Sequence, residues 1–228
     1  VGRSVTSWHV GDRVTVPFVC ACGECATCLR GDGQVCERQS QPGFTQWGSF
    51  AELVAIDRAE VNLIRLPDPM SFDVAASLGC RFATAYRAVR VLGRPEPSDW
   101  VAVHGCGGVG LSAVMIAAAH GGQVVAVDVS SDALHLAREA GAAETVLVTE
   151  ETNVPEEILA ITGSGARVWI DALGSVQTCR NSLLSLGTRG RHVQVGLMLG
   201  DDQEPPIPMS RVISYELQLF GAHGLAAS

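Results

Sequence analysis

Lysine is absent from this 228-residue chain, whose sixteen basic residues are all arginine. That absence excludes Schiff-base chemistry on a lysine and a phosphate loop of the lysine type. Positive charge is scarce overall: the formal net charge is −8 and the pI is near 5.2. Nucleic acid and anionic membranes both need a basic face, so neither is an expected partner. No apolar run approaches the ~18 residues of a membrane span. The longest apolar helix candidate, Val109 to Ala119, is short and starts at a glycine turn, so it reads as a buried helix. No secretory leader opens the chain, and it starts at Val1 rather than methionine, which reads as a fragment or a processed chain. Eight cysteines without a leader favour the reducing cytoplasm, where clustered thiols are more often metal ligands than disulfides. Hydrophobic residues at 47% and charged residues at 18% fit an ordered globular protein.

Two textures follow one another. The first stretch carries short Val- and Ile-rich runs separated by Gly, Pro and Asp, which predict strands over Arg13–Phe18, Ser49–Ile56 and Val61–Leu66. Helices are predicted from a Ser71 cap to Leu78 and over Ala83–Leu92, with a turn-rich connector from Gly93 to Asp99. A regular alternation then begins. Strands are predicted at Trp100–His104, Gln123–Val127, Glu144–Val148, Val168–Ala172, Arg191–Gly196 and Glu216–Gly221. Helices lie between them at Val109–Ala119, Ser131–Ala140 (closed by Gly141), after an Asn153 cap, and at Val176–Leu186. Apolar strands alternating with helices mean a parallel sheet covered on both faces, and six of them fit the doubly wound dinucleotide fold.

The first of these strand-to-helix turns reads Gly105-Cys106-Gly107-Gly108-Val109-Gly110. Gly105 permits the tight turn, Gly107 lets the backbone approach a pyrophosphate, and Gly110 lets the helix pack on the strand; Gly108 and Val109 complete the cofactor-binding turn. The pyrophosphate rests on free N–H groups at the helix start. Asp128 ends the next strand, where a carboxylate bonds the adenosine ribose diol and repels a 2′-phosphate. No arginine among Val129, Ser130 and Ser131 offers to hold such a phosphate, so NAD is expected rather than NADP. A glycine turn that merely joins strand to helix is the competing reading.

Cys22, Cys25, Cys28 and Cys36 supply four soft ligands within one loop, the number a tetrahedral structural zinc requires. A site closed by four thiolates holds the loop and leaves no position for chemistry. Cys20 competes with Cys22 as a ligand. An iron–sulfur cluster fits less well, because seven residues and not three separate Cys28 from Cys36, and Glu37 rather than proline follows. Disulfides are the third possibility.

Together with this lobe and turn, Gly11-Asp12-Arg13-Val14, Gly79-Cys80, Thr84-Ala85-Tyr86, Asp171-Ala172-Leu173-Gly174, Val195-Gly196-Leu197 and Phe220-Gly221-Ala222-His223-Gly224 resemble the zinc-containing medium-chain alcohol dehydrogenases in order and spacing over nearly the whole chain. The resemblance implies a GroES-like β-rich catalytic domain, in part, over residues 1–80 and an NAD-binding Rossmann domain over residues 81–228. It implies a catalytic zinc with Cys80 as one ligand, Thr84 beside the nicotinamide, and Leu173, Val195, Gly196 and Leu197 along the cofactor. By that same resemblance, the catalytic zinc draws a further cysteine and histidine from a segment ahead of the four-cysteine lobe, and neither has a counterpart in this sequence. The chain is therefore expected to be incomplete at both ends. Two functions follow. One is hydride transfer between an alcohol, or its aldehyde or ketone, and NAD(H), in a homodimer or homotetramer. The other is a truncated, inactive NAD-binding module stabilised by a structural zinc.

Overall fold

The computed structural model describes residues 1–227, which fall into two units: Val1–Ala83 with the C-terminal residues from His223, and Thr84–Ala222.

The first unit is mostly loop. Its two-stranded sheet pairs β1 (Val14–Thr15) with β2 (Ile64–Arg65) antiparallel, Val14 opposite Arg65. The short helical turn α1 (Ala26–Leu29) lies within the cysteine lobe, and α2 (Ala59–Asn62) follows it in sequence. Backbone bonds in both directions between Cys20 and Ser40 (2.8 and 2.9 Å) close the loop that carries the lobe. The Arg13 guanidinium ties the start of β1 to the segment after β2 through the carbonyls of Pro67, Asp68 and Met70. The strand expected over Ser49–Ile56 does not form. Alternating apolar residues make a strand only where a neighbour supplies ladder partners. Among the described residues none does, and Phe44, Trp47, Phe50 and Leu53 stand exposed instead. The expected Val61–Leu66 strand is also shortened. Arg58 takes a left-handed conformation (φ 53°) that opens α2, so only Ile64 and Arg65 stay extended.

Ser71 caps α3 (Phe72–Ser77) by accepting from the Val74 N–H at 3.3 Å. The helix widens into a π-helical turn over Leu78–Phe82, continues as α4 (Ala83–Tyr86), and widens again over Arg87–Gly93.

The second unit is a six-stranded sheet, parallel throughout, in the order β5-β4-β3-β6-β7-β8. Its strands are β3 (Trp100–His104), β4 (Gln123–Asp128), β5 (Glu144–Leu147), β6 (Ala166–Asp171), β7 (Leu186–Gln194) and β8 (Gln218–Gly221). Helices α5 (Gly108–Ala119), α6 (Ser131–Glu139), α7 (Val154–Thr162), α8 (Val176–Ser185) and α9 (Met209–Tyr215) connect them. Reading outward from β3 in both directions, this is the doubly wound order with its reversal between β3 and β6. Trp169, Ile158, Leu183 and Leu186 are fully buried in the core on one face of the sheet. Each such side chain stabilises the unit by about 1.5–3 kcal/mol.

Local chemistry sets the helix ends. Ser130 caps α6, Gly141 (φ 111°) ends it, and Ser175 and Thr178 form a reciprocal capping box on α8. Asn153 precedes α7 as expected, but its side chain makes no capping bond. β7 starts five residues earlier than expected, at Leu186 rather than Arg191. Leu186 pairs with Ala166, and an irregularity before Val168 absorbs the extra residues.

Candidate metal lobe and dinucleotide site

Cys25 begins α1 as its N-cap, accepting from the Cys28 N–H through sulfur. That single turn points the thiols of Cys22, Cys25 and Cys28 toward one another, and the short 3₁₀ turn Gly33–Val35 delivers Cys36. All four Sγ atoms lie within 4.8 Å of one another. Cys22–Cys28 and Cys25–Cys36 are 3.8 Å apart and Cys25–Cys28 is 3.4 Å apart. Sulfurs around a tetrahedral zinc with ~2.3 Å bonds are about 3.8 Å apart. The cage therefore fits one zinc ion. A multi-iron cluster would spread the sulfurs further, and a disulfide would bring two of them to ~2.05 Å. All eight cysteines are free thiols. Cys20 is not part of the cage: its Sγ turns to the Pro17 carbonyl (3.8 Å), and burial raises its pKa.

Main-chain donors surround the sulfurs. The N–H groups of Cys25 and Arg38 reach Cys22 and Cys36 at 3.4 and 3.3 Å. Donation from the Glu24 backbone, then from Cys25, holds the Cys22 thiol down to about 6, whereas burial pushes Cys28 up to about 12. Such donors offset the negative charge of thiolates on a metal. Two supports were not legible in the sequence. Buried Asn62 accepts from the Ala21 N–H (2.8 Å) and donates to the Ala21 and Asp57 carbonyls (both 3.0 Å), locking the base of the lobe. Glu24 links Arg38 and Arg58 across its rim at 3.1 and 3.0 Å. An asparagine inside an apolar run, Val61-Asn62-Leu63, was the available signal for the first.

At the other unit's switch point, Gly105 leaves β3 with φ 88° and its N–H bonds the Val127 carbonyl. A Cβ on Gly110 would overlap the Gly105 carbonyl oxygen, so only glycine lets α5 pack this closely. A Cβ on Gly107 would meet nothing within 4 Å: open space lies in front of the turn. Gly107 is also the N-cap of α5 and has no side chain to bond the first N–H groups, at Gly108 and Val109. An anion is the natural partner for such groups. Asp128 Oδ2 accepts from the Cys106 N–H at 2.6 Å and Oδ1 from the Ser130 N–H at 2.9 Å. The carboxylate thus braces the turn, and its remaining lone pairs are free for ribose hydroxyls. Across β3, buried Asp171 accepts from the N–H groups of Leu173 (3.1 Å) and Gly174 (2.9 Å) and from the Thr178 hydroxyl (2.7 Å). Gly174 and Gly196 sit in each other's way for any Cβ, which interlocks the loop at Leu173 with the loop Val195-Gly196-Leu197. An Asp171→Ala variant is expected to lose about 2–5 kcal/mol through three unmet donors, measured by urea denaturation.

Cys80 is exposed on the π-helical turn of the first unit, and Thr84 is buried at the start of the second. Among the described residues, the four-cysteine cage is the single group of three or more His, Cys, Asp or Glu side chains placed to hold a metal. Around Cys80 no second and third ligand stand among the described residues.

His104, at the end of β3, is buried, and its Nδ1 has no partner. His192 is also buried, between Ser182 (2.6 Å) and Gln194 (3.1 Å). Burial lowers the pKa of both, more than the Asp171 charge raises it. Both fold as neutral rings, so the unfolded chain binds more protons below its histidine pKa of ~6.5. Stability of this unit is full above that pH and falls as the pH drops below it. The check is melting temperature against pH, with a shallower fall expected in His104→Leu.

Residues 1–68 match the alcohol dehydrogenase GroES-like domain, and residues 108–227 match the zinc-binding dehydrogenase family. An alcohol dehydrogenase of Geobacillus stearothermophilus is 35% identical over 224 residues, which are 97% of this chain and 64% of that one. A sorbitol dehydrogenase of Halalkalibacterium halodurans is 32% identical over 97% of this chain and 64% of its own length. The solved alcohol dehydrogenase of the archaeon Aeropyrum pernix superposes with a TM-score of 0.86 at 32% identity, covering 97% of this chain and 64% of that chain. This chain thus spans a little under two thirds of the length of these relatives. The cysteine cage, the glycine turn and both family matches lead to one conclusion: the chain belongs to the zinc-type medium-chain alcohol dehydrogenase family.

Proposed function

We propose that the protein transfers hydride between an alcohol, or the corresponding aldehyde or ketone, and NAD(H), as a cytoplasmic homodimer or homotetramer. The observation that carries this reading is the open, uncapped start of α5 beside Asp128 at the switch point of the sheet. In this reading the N–H groups of Gly107, Gly108 and Val109 bind the pyrophosphate, and Asp128 accepts from the adenosine ribose. Leu173, Val195, Gly196 and Leu197 line the nicotinamide end, and Thr84 orients the ring. NAD, when bound, supplies the hydride acceptor; the chain positions it and excludes water around it. Cys80 is one proposed zinc ligand. It has no second and third partner among the described residues, so no step is routed through a catalytic metal.

That same observation favours a second reading for these 228 residues on their own: an NAD-binding module held by a structural zinc, without turnover. Two measurements separate the readings. NADH binding followed by fluorescence, with NADPH weaker by about tenfold or more because of Asp128, is expected under both and its absence overturns both. Oxidation of short alcohols and polyols coupled to NADH formation is expected under the first alone.

A further inference from the structure

The strands of the second unit all run the same way, so their starting ends gather at the edge opposite the glycine turn, and this edge collects arginines. Arg167 is the second residue of β6, Arg189 and Arg191 lie in β7, and Arg94 ends the helical stretch ahead of β3. The register sets Arg191 opposite Val168, next to Arg167. The guanidinium of Arg167 donates to the Arg189 carbonyl. Arg191 donates to the carbonyls of Leu92 (3.1 Å) and Gly93 (3.3 Å), immediately before Arg94, and Arg94 Nε donates to Val91 (2.7 Å). These bonds satisfy carbonyls at the end of the helical stretch ahead of β3 and within β7, and they also fix three planar cations in place. Each guanidinium has five N–H donors, and one or two are used.

Counter-charge is sparse. Among the described residues the cluster has one carboxylate within 4.0 Å: Glu216, at 3.9 Å from the exposed Arg189. Arg191 Nε is buried without any partner. The charge of Arg191 is disfavoured first by burial and then by Arg167, Arg94 and Arg189, which together lower its pKa. Arg94, Ser98 and Arg189 all have left-handed backbone (φ 48°, 73° and 58°). Strained residues of this kind persist where the surroundings hold them, often at ligand sites. Two hollows of about 400 and 430 Å³ flank the cluster, the first lined by Arg167 with Ser164 and Thr188, the second by Arg94 with Arg90 and His120; Arg189 and Arg191 line neither. Each also has one carboxylate on its wall, Asp99 and Glu96, and Asp99 is already engaged by the Glu96 N–H at 2.8 Å.

We propose that this arginine cluster binds a small polyanion with paired phosphate or carboxylate groups, at the end of the sheet opposite the glycine turn. Arginine is suited to this task, since its flat fork meets such oxygens two at a time. Calorimetric titration of the zinc-loaded chain with inorganic pyrophosphate, and separately with citrate, tests the site and shows whether phosphate or carboxylate is preferred. The double variant R94Q/R189Q is expected to bind the preferred probe about tenfold more weakly or worse, with an unchanged melting curve. R94K/R189K, which keeps charge but not the fork, is expected to weaken it as well. Arg189→Gln alone, at an exposed side chain paired only with Glu216, carries the test if the double variants fold poorly. The proposal is overturned if neither probe binds, if the glutamine variants bind as tightly as the parent, or if the lysine variant is unaffected. The second result would place the ions at the glycine turn, and the third would reduce the cluster to diffuse charge.

Discussion

Gly110→Ala is expected to abolish NADH binding and to destabilise the second unit. The added methyl overlaps the Gly105 carbonyl oxygen and lies 2.8 Å from the Gly105 carbonyl carbon, both backbone atoms that cannot rotate aside. The start of α5 must move away from β3. Overpacking of this kind costs about 3 kcal/mol, which lowers the melting temperature by roughly 6–12 °C in a domain of this size. Gly107→Ala is the informative partner. Its methyl meets no protein atom within 4 Å, so folding is expected to be unperturbed. Yet the methyl enters the space where a pyrophosphate would approach the backbone, and NADH binding is expected to fall by about a hundredfold or more. Scanning calorimetry and NADH fluorescence on the two variants separate packing from recognition. If Gly107→Ala binds NADH like the parent, the glycine turn is not the cofactor cradle.

The contrast between these glycines shows what the sequence could disclose. The Gly105–Gly110 pattern after an apolar strand specifies a local geometry, a tight turn and a close helix, and the structure has both. The four-cysteine spacing is also local: a single helical turn suffices to converge Cys22, Cys25 and Cys28, and the cage forms. Parallel strands buried on both faces announce themselves through continuous Val and Ile runs, as at Val124–Val127. What failed was non-local. Ser49–Ile56 alternates like a strand, but a strand forms only against a partner that no local pattern names, and among the described residues none pairs with it. The early start of β7 at Leu186 depends on pairing with Ala166, twenty residues away, and no local rule predicts it. The same limit hid Asn62, whose three bonds to Ala21 and Asp57 exist only once the lobe has folded. Cys80 is the opposite case: family resemblance assigns it a role, while no ligand set stands around it among the described residues.

About one zinc per chain is expected to survive a mild chelator wash, held by Cys22, Cys25, Cys28 and Cys36. Structural zinc in small domains contributes an apparent ~10–16 kcal/mol at neutral pH, far more than the two-residue strands of the first unit could supply. Stripping the metal with a strong chelator, or removing one ligand in Cys36→Ser, is therefore expected to unfold the first unit. The second unit should keep its sheet and its NADH binding, because its core uses no residue of the lobe. The pH dependence has a definite sign. Without metal, burial pushes Cys28 up to about 12, so zinc must displace its proton, and affinity falls as the pH falls. Zinc release should then steepen in mild acid, in the range where Cys22, held down to about 6, also regains its proton. Elemental analysis across that range, read beside circular dichroism, checks all three points. A second tightly held zinc would mean that Cys80 has found partners, and alcohol oxidation should then appear in the same preparation.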